Sequence, residues 1–354
     1  MSEKTLIFLG AGFSKAITET APMGNEIFKK AFSSSYVHDK NIQNVLSFIR
    51  RVYYLKDQVY PNIQDVLSLL DSLVEEKENL SNQYSYKDLF LIRQKILDLI
   101  SKIISDSTDK SMANGQQFIE KICSDDSVSV ITTNYDTVFE DLYHSAKSSY
   151  PDYGFEWRTP ISRAGQGNVN AGKRPAFSPR NDYNSSNDYL IKLHGSLNWF
   201  HCPKCDEIDI EFMGNLPEDE KQRIKLEWSH GKLQCVNDMC TAFYEPVLIP
   251  PSFLNKDYRN RVVSNLFELA RTRLEEAERI IFIGYGLNPE DYHIKNLLTL
   301  ALANRDQVKL SVFLKEESKE QEIIKKNRYL SLFGSRIKEK NFNFSGLEGF
   351  LKEF

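Results

Sequence analysis

Along this chain, short apolar runs alternate with longer stretches in which apolar residues recur three and four positions apart. The runs are residues 5–9 (TLIFL), 128–132 (VSVIT), 190–193 (LIKL), 279–283 (RIIFI) and 308–314 (VKLSVFL). Short apolar runs bounded by glycine or polar turns mark strands buried on both faces. Helical spacing covers residues 25–32, 42–54, 63–74, 86–104, 258–278 and 347–354; Val66, Leu69, Leu70 and Leu73 show it clearly. Residues 150–188, rich in Gly, Pro, Ser, Asn and Arg, predict a loop long enough for an active-site lid. Strand, glycine turn and helix repeat, so the pattern predicts an α/β fold, a Rossmann-like doubly wound parallel sheet. The helices between the first two strands predict an inserted helical subdomain over about 36–110.

At 354 residues the chain is long enough for one large domain or two ordinary ones. Its 41% hydrophobic and 27% charged residues are those of a soluble globular protein. A net charge of -4 supplies no general attraction to nucleic acid or to an acidic membrane. No direct nucleic-acid binding is expected. No run approaches the roughly 18 apolar residues of a membrane helix, and TLIFL is too short for a secretory signal. The five cysteines, four of them in two close pairs, fit a metal site plus one free thiol in a reducing compartment. A cytoplasmic location is therefore expected.

Four motifs follow strand ends, the edge at which doubly wound sheets bind ligands. Gly10-Ala11-Gly12-Phe13-Ser14 follows the first strand. Glycines there let the main chain approach a pyrophosphate at a helix N-terminus, or simply make a tight turn. Thr132-Thr133-Asn134-Tyr135-Asp136 aims an amide and a carboxylate into a crevice, or forms an Asx-type turn with Asp136 as N-cap. His194-Gly195-Ser196 places an imidazole where acid–base work is possible; the alternative is a hydrogen-bonded structural histidine. Gly284-Tyr285-Gly286-Leu287 either cradles the adenosine half of a nucleotide or is a plain turn. Glu316 either accepts from a ribose hydroxyl or stands solvated within Lys315-Glu316-Glu317. The remaining group is Cys202-x-x-Cys205 with Cys235-x-x-x-x-Cys240. Four thiolates suit a structural zinc with no open position; metal-free cysteines are the alternative. They define a small zinc-ribbon-like module over about 200–245, in a segment expected to be too polar to build its own core.

Taken in chain order, these motifs resemble those of the sirtuins. Gly10–Ser14 is similar to the family's Gly-Ala-Gly-x-Ser/Thr, and Thr132–Asp136 to its Thr-Gln-Asn-Ile-Asp. His194-Gly195 is similar to its His-Gly, Gly284–Leu287 to its Gly-Thr-Ser-Leu, and the cysteines to its zinc module. The resemblance spans about Leu6 to Leu314 and implies one sirtuin-like NAD-binding domain over 1–354. It departs at Thr133, which replaces Gln, at Tyr135, which replaces Ile, and in the long helical insert. Residues 246–251 (PVLIPP) also lack the Phe-Gly-Glu that protein deacylases use beside the acyl-lysine peptide. In these respects the chain looks more like the divergent bacterial sirtuin-like proteins of antiphage defence. Those hydrolyse NAD and often work with a partner such as a DNA-translocase-type ATPase.

The resemblance implies NAD as substrate and a structural zinc. Ala11, Gly12 and Ser14 would line the pyrophosphate, and Gly10, Phe13 and Thr133 would also belong to the cofactor site. Asn134 would hold the nicotinamide ribose and a water, Asp136 the carboxamide, and His194 would be the base. Gly284, Tyr285, Gly286 and Glu316 would serve the adenosine end. Three readings follow. One is an NAD glycohydrolase releasing nicotinamide and ADP-ribose, activated by assembly as a homo-oligomer or with the ATPase. The others are an NAD-dependent protein deacylase and a non-catalytic NAD- or ADP-ribose-binding assembly subunit.

Overall fold

The computed structural model describes residues 3–18, 20–33, 40–55, 59–107, 113–123, 128–155, 190–211, 217, 219–221, 223–224, 232–237, 239–249, 261–316 and 318–354. Their strands are, in chain order, β1 (Thr5–Leu9), β2 (Val128–Thr132), β3 (Leu190–Lys192), β4 (Gly195–Cys202), β5 (Glu207–Ile210), β6 (Glu245–Leu248), β7 (Arg279–Ile283), β8 (Lys309–Phe313) and β9 (Phe342–Asn343). Six form one parallel sheet in the order β3-β2-β1-β7-β8-β9. The other three form an antiparallel sheet in the order β5-β4-β6. The chain is thus α/β, as the alternation of apolar runs and helical spacing predicts.

The helices are α1 (Ala11–Thr18), α2 (Ile27–Ser33), α3 (Lys40–Val52), α4 (Ile63–Glu75), α5 (Tyr86–Ser107), α6 (Ala113–Ile122), α7 (Val138–Lys147), α8 (Arg261–Glu276), α9 (Tyr292–Leu302), α10 (Lys319–Phe333) and α11 (Gly346–Glu353). After the first residue of β1, β2 and β7, every side chain is buried, so both faces of the central strands are covered. α1, α6, α7 and α11 pack on one another, and α8 packs on α9. Full burial of an apolar side chain such as Phe8, Ile131 or Phe282 contributes about 1.5–3 kcal/mol. The register is level: Leu9 lies opposite both Thr132 and Ile283. The loops that follow these three strands therefore leave the sheet side by side.

The helices α2 to α5 bury a separate apolar cluster that includes Phe28, Val45, Phe48, Val66, Leu70 and Ile96. Lys15 of α1 ties this block to the sheet through Glu26 at 2.8 Å. Periodicity alone does not show α6, α10 or β4 to β6. In α10 only Tyr329 and Phe333 are buried, too few to print an amphipathic stripe. The segment expected to be too polar for a core has one: Phe200, Cys202, Ile224, Leu233, Cys235, Cys240 and Tyr244 cluster together. The cysteines themselves supply part of its apolar volume. Of the long loop, Tyr153 and Phe155 pack edge-on against Trp199; residues 156–188 lie outside the described residues. The helix expected over 258–278 is described from Arg261 to Glu276, and its first three positions also fall outside. Among the described residues no helix is long and apolar enough to cross a membrane.

Candidate active site

The loops leaving β1, β2, β3 and β7 meet at the C-terminal edge of the sheet. α1 begins directly after Gly10, which sets Ser14 in its first turns, facing the loop after β2. The Ser14 hydroxyl donates to Asp136 Oδ1 at 3.0 Å and accepts from Asn134 Nδ2 at 3.0 Å. Asn134 Nδ2 also donates to the Gly10 carbonyl at 3.0 Å. That carbonyl can only accept, so the amide nitrogen has to face it. Both Nδ2 protons are then used, and Oδ1 is the group Asn134 offers a ligand. Thr132 Oγ1 shapes the turn by donating to the Leu9 carbonyl (3.1 Å) and accepting from the Asn134 N–H (3.0 Å). Asp136 Oδ1 also accepts from the Val138 N–H at 3.1 Å, an Asx turn at the start of α7, although the N-cap position is Thr137.

His194 sits between β3 and β4. Leu193 N–H donates to the Thr132 carbonyl and Leu197 N–H to the Tyr135 carbonyl, which brings the histidine beside the Asn134 loop. Its ring centroid is 6.1 Å from that of Tyr135. The imidazole is buried, and burial disfavours its charged form; His293 at the start of α9 adds like-charge repulsion. Together they push its pKa down to about 4, so the ring is neutral near pH 7. Gly195 is required next to it: its φ is +78°, and a Cβ would lie 1.9 Å from the Val247 carbonyl oxygen.

The glycine motifs have a packing duty. Gly10 N–H donates to the Ile283 carbonyl and Gly12 N–H to the Gly284 carbonyl, both at 3.0 Å, and Phe13 N–H bonds the Gly10 carbonyl. A Cβ on Gly10 would lie 2.5 Å from Tyr285 Cα, and one on Gly12 would lie 2.8 Å from Gly284 Cα. Two loops thus pass backbone against backbone, and those N–H groups are already engaged. Phe13 is a core residue against Phe118. Ala11 and Thr133 are half-buried at the loop surface. The Tyr285 side chain turns inward, stacking near Phe8 and donating its hydroxyl to Asp291 at 2.9 Å. Gly286 gives its carbonyl to Arg328 at 3.1 Å. Glu316 is paired with Lys325 and 7% exposed, so it is not the solvated charge its neighbours suggest.

Several groups at this edge carry no sequence signal. Asp291 is one: burial raises its carboxyl to about 6, despite the Tyr285 hydroxyl and the nearby Lys295 and Arg328. It follows the Gly284 motif by too few residues to be more than a helix-start aspartate in sequence.

The four paired cysteines converge. Their sulfurs lie within 4.8 Å of one another, with Cys202–Cys240 at 3.6 Å and Cys205–Cys235 at 3.9 Å. A tetrahedral zinc with Zn–S bonds of 2.3 Å requires S···S separations of about 3.8 Å. The donor set fits a structural zinc. Asn237 Nδ2 and the Cys205 N–H point at sulfurs, as donors toward thiolates do.

The chain belongs to the SIR2-like domain family: the family model matches residues 128–337, more than half of its length. That membership supports an NAD-utilising activity in general. No curated protein sequence matches the chain. Among solved structures, one of Sir2 with p53 peptide and NAD+ is 11% identical, covering 99% of this chain and 90% of the other at a TM-score of 0.40. Sir2 bound to acetylated peptide is 10% identical over 99% and 90%, at a TM-score of 0.43. Sir2 with EX-527, 2′-O-acetyl-ADP-ribose and deacetylated p53 peptide is 14% identical over 99% and 91%, at 0.37.

Proposed function

We propose that the chain hydrolyses NAD to nicotinamide and ADP-ribose. One observation carries the reading: in a SIR2-like chain, Ser14, Asn134 and Asp136 are joined by direct hydrogen bonds across 120 residues of sequence, beside a neutral buried His194. The reaction breaks the bond between ribose C1′ and the nicotinamide nitrogen. Nicotinamide leaves with the bonding pair; water adds to C1′ and gives up a proton. The leaving ring is cationic beforehand, so the transition state is oxocarbenium-like and depends more on placement than on strong proton transfer. Asn134 Oδ1 is positioned to hold a ribose hydroxyl or the water. The Asp136 carboxylate serves the carboxamide. His194, neutral near pH 7, accepts the released proton, and its low basicity suits that modest demand. The cysteine cluster would hold its zinc as a structural ion.

The sequence supports hydrolysis over deacylation, because residues 246–251 (PVLIPP) lack the Phe-Gly-Glu that protein deacylases use beside the acyl-lysine peptide. The Ile249 N–H donates to the His194 carbonyl at 2.9 Å, and the Ile249 carbonyl accepts from the Tyr135 hydroxyl at 2.7 Å. Both main-chain groups of Ile249 are thereby engaged, which fixes the end of β6 beside His194. We assign the activity to antiphage defence in the cytoplasm. An enzyme that destroys NAD must be held off, so the dilute chain should be slow and assembly, as a homo-oligomer or with a DNA-translocase-type ATPase, should speed it.

Product chromatography after mixing with NAD tests this. Wild type should yield nicotinamide and ADP-ribose without any peptide, and Asn134→Ala or His194→Ala should each cut the rate at least ~100-fold. Release only when an acetyl-lysine peptide is added would establish the deacylase instead. Calorimetric binding without release at any protein concentration would establish the binding subunit.

A further inference from the structure

Lys192 ends β3 two residues before His194, and its side chain is 1% exposed, as is that of Glu140 on α7. Its Nζ donates to Glu140 Oε1 at 2.8 Å and to the main-chain carbonyl of Asp136 at 2.5 Å. The Tyr153 hydroxyl donates to the same Oε1 at 2.9 Å and accepts from Asn198 Nδ2 at 3.3 Å. A buried ion pair is a poor source of net stability, because desolvation offsets the attraction. What it supplies is direction. The side-chain ties of Asn134 run to Ser14 and to the Gly10 carbonyl, across to the loop after β1. The Lys192 bond reaches the same loop through its main chain, from the protein interior.

We propose that Lys192, held by Glu140, is a positioning residue: its ammonium fixes the main chain at Asp136 and so sets Asn134 and Asp136 relative to His194. Removing Lys192 alone strands the buried Glu140 carboxylate, so the test is the neutral pair Lys192→Met with Glu140→Gln, whose glutamine still accepts from Tyr153. Two readouts are compared with wild type at matched melting temperature. Hydrogen exchange of the amides at 134–138 should quicken about tenfold while the sheet amides stay protected. In NAD hydrolysis kcat should fall about 100-fold with KM within about threefold, the mark of misplacement rather than lost binding. The kinetic arm rests on the proposed activity; the exchange arm does not, and decides alone if wild type releases no nicotinamide. Glu140→Gln by itself keeps the Lys192–Asp136 bond, so it should hold loop protection within about threefold of wild type, and this arm decides if the pair fails to fold. A folded double variant with wild-type exchange at 134–138 or wild-type kcat, or a Glu140→Gln chain with the loop unprotected, overturns the proposal.

Discussion

Acid exposes two buried groups at the site edge that pull stability in opposite directions. The His194 pKa is about 4 in the fold against 6.5 for the free side chain. Its stabilising contribution is complete above pH 6.5 and is lost as pH falls toward 4, because the unfolded chain takes the proton first. Moving from pH 8 to 5 therefore costs about 2 kcal/mol, and the full shift about 3 kcal/mol. Asp291 stands at about 6 against 3.8. A raised carboxyl pKa has the reverse sign: the fold binds the proton first, so the same pH step gains about 1 kcal/mol. In the native chain the two oppose each other. Substitution unmasks them. Urea unfolding at pH 8 and pH 5 should show His194→Gln changing by about 2 kcal/mol more favourably than wild type, and Asp291→Asn by about 1 kcal/mol less favourably. Other titrating groups cancel in these differences. If both variants track wild type to within about 0.5 kcal/mol, neither group is desolvated as the structure requires.

Three other substitutions read the geometry directly. Gly195→Ala drives a methyl into the Val247 carbonyl at positive φ and should cost about 3 kcal/mol, whereas Gly334→Ala, at φ +56° with nothing within 4 Å, should cost about 1–2 kcal/mol, both by urea unfolding. Tyr135→Phe deletes the bond to the Ile249 carbonyl and should lower stability by about 1 kcal/mol in the same assay; no loss would place that contact outside the solution structure. Metal analysis should find one zinc per chain, lost in Cys235→Ser with a fall in melting temperature of at least about 4 °C. A cysteine variant that melts like wild type would show that the cluster needs no ion.

The strands are legible because a strand covered on both faces must be mostly apolar, and TLIFL, VSVIT and RIIFI are, with Ser129 and Thr132 the buried polar exceptions. The convergence of Ser14 and Asn134 follows from strand order, which spacing alone does not specify; only the motif resemblance anticipates it. The glycines are legible as turns but not as packing partners: nothing local says that Gly12 will lie against Gly284. Tyr285 illustrates the same gap, since its hydroxyl finds Asp291 inside the protein. Nothing local marks Lys192 and Glu140 as partners, because burial of an ion pair depends on a residue 52 positions away. β4 and β5 escape periodicity because consecutive positions are buried, Asn198 to Phe200 in one and Ile208 to Ile210 in the other, so no alternating stripe is printed.

β1 lies between β2 and β7, although its neighbours begin 123 and 274 positions later. The Gly10 and Gly12 turn packs on backbone around residue 284. At about 10 residues per second, a ribosome takes roughly half a minute to make that second wall after the first strand appears. Until then the strand at the centre of the finished sheet is one of its edges. The nascent polypeptide therefore has no competent ligand-binding crevice before residues 279–286 emerge, and one side of β1 waits for a late-arriving neighbour.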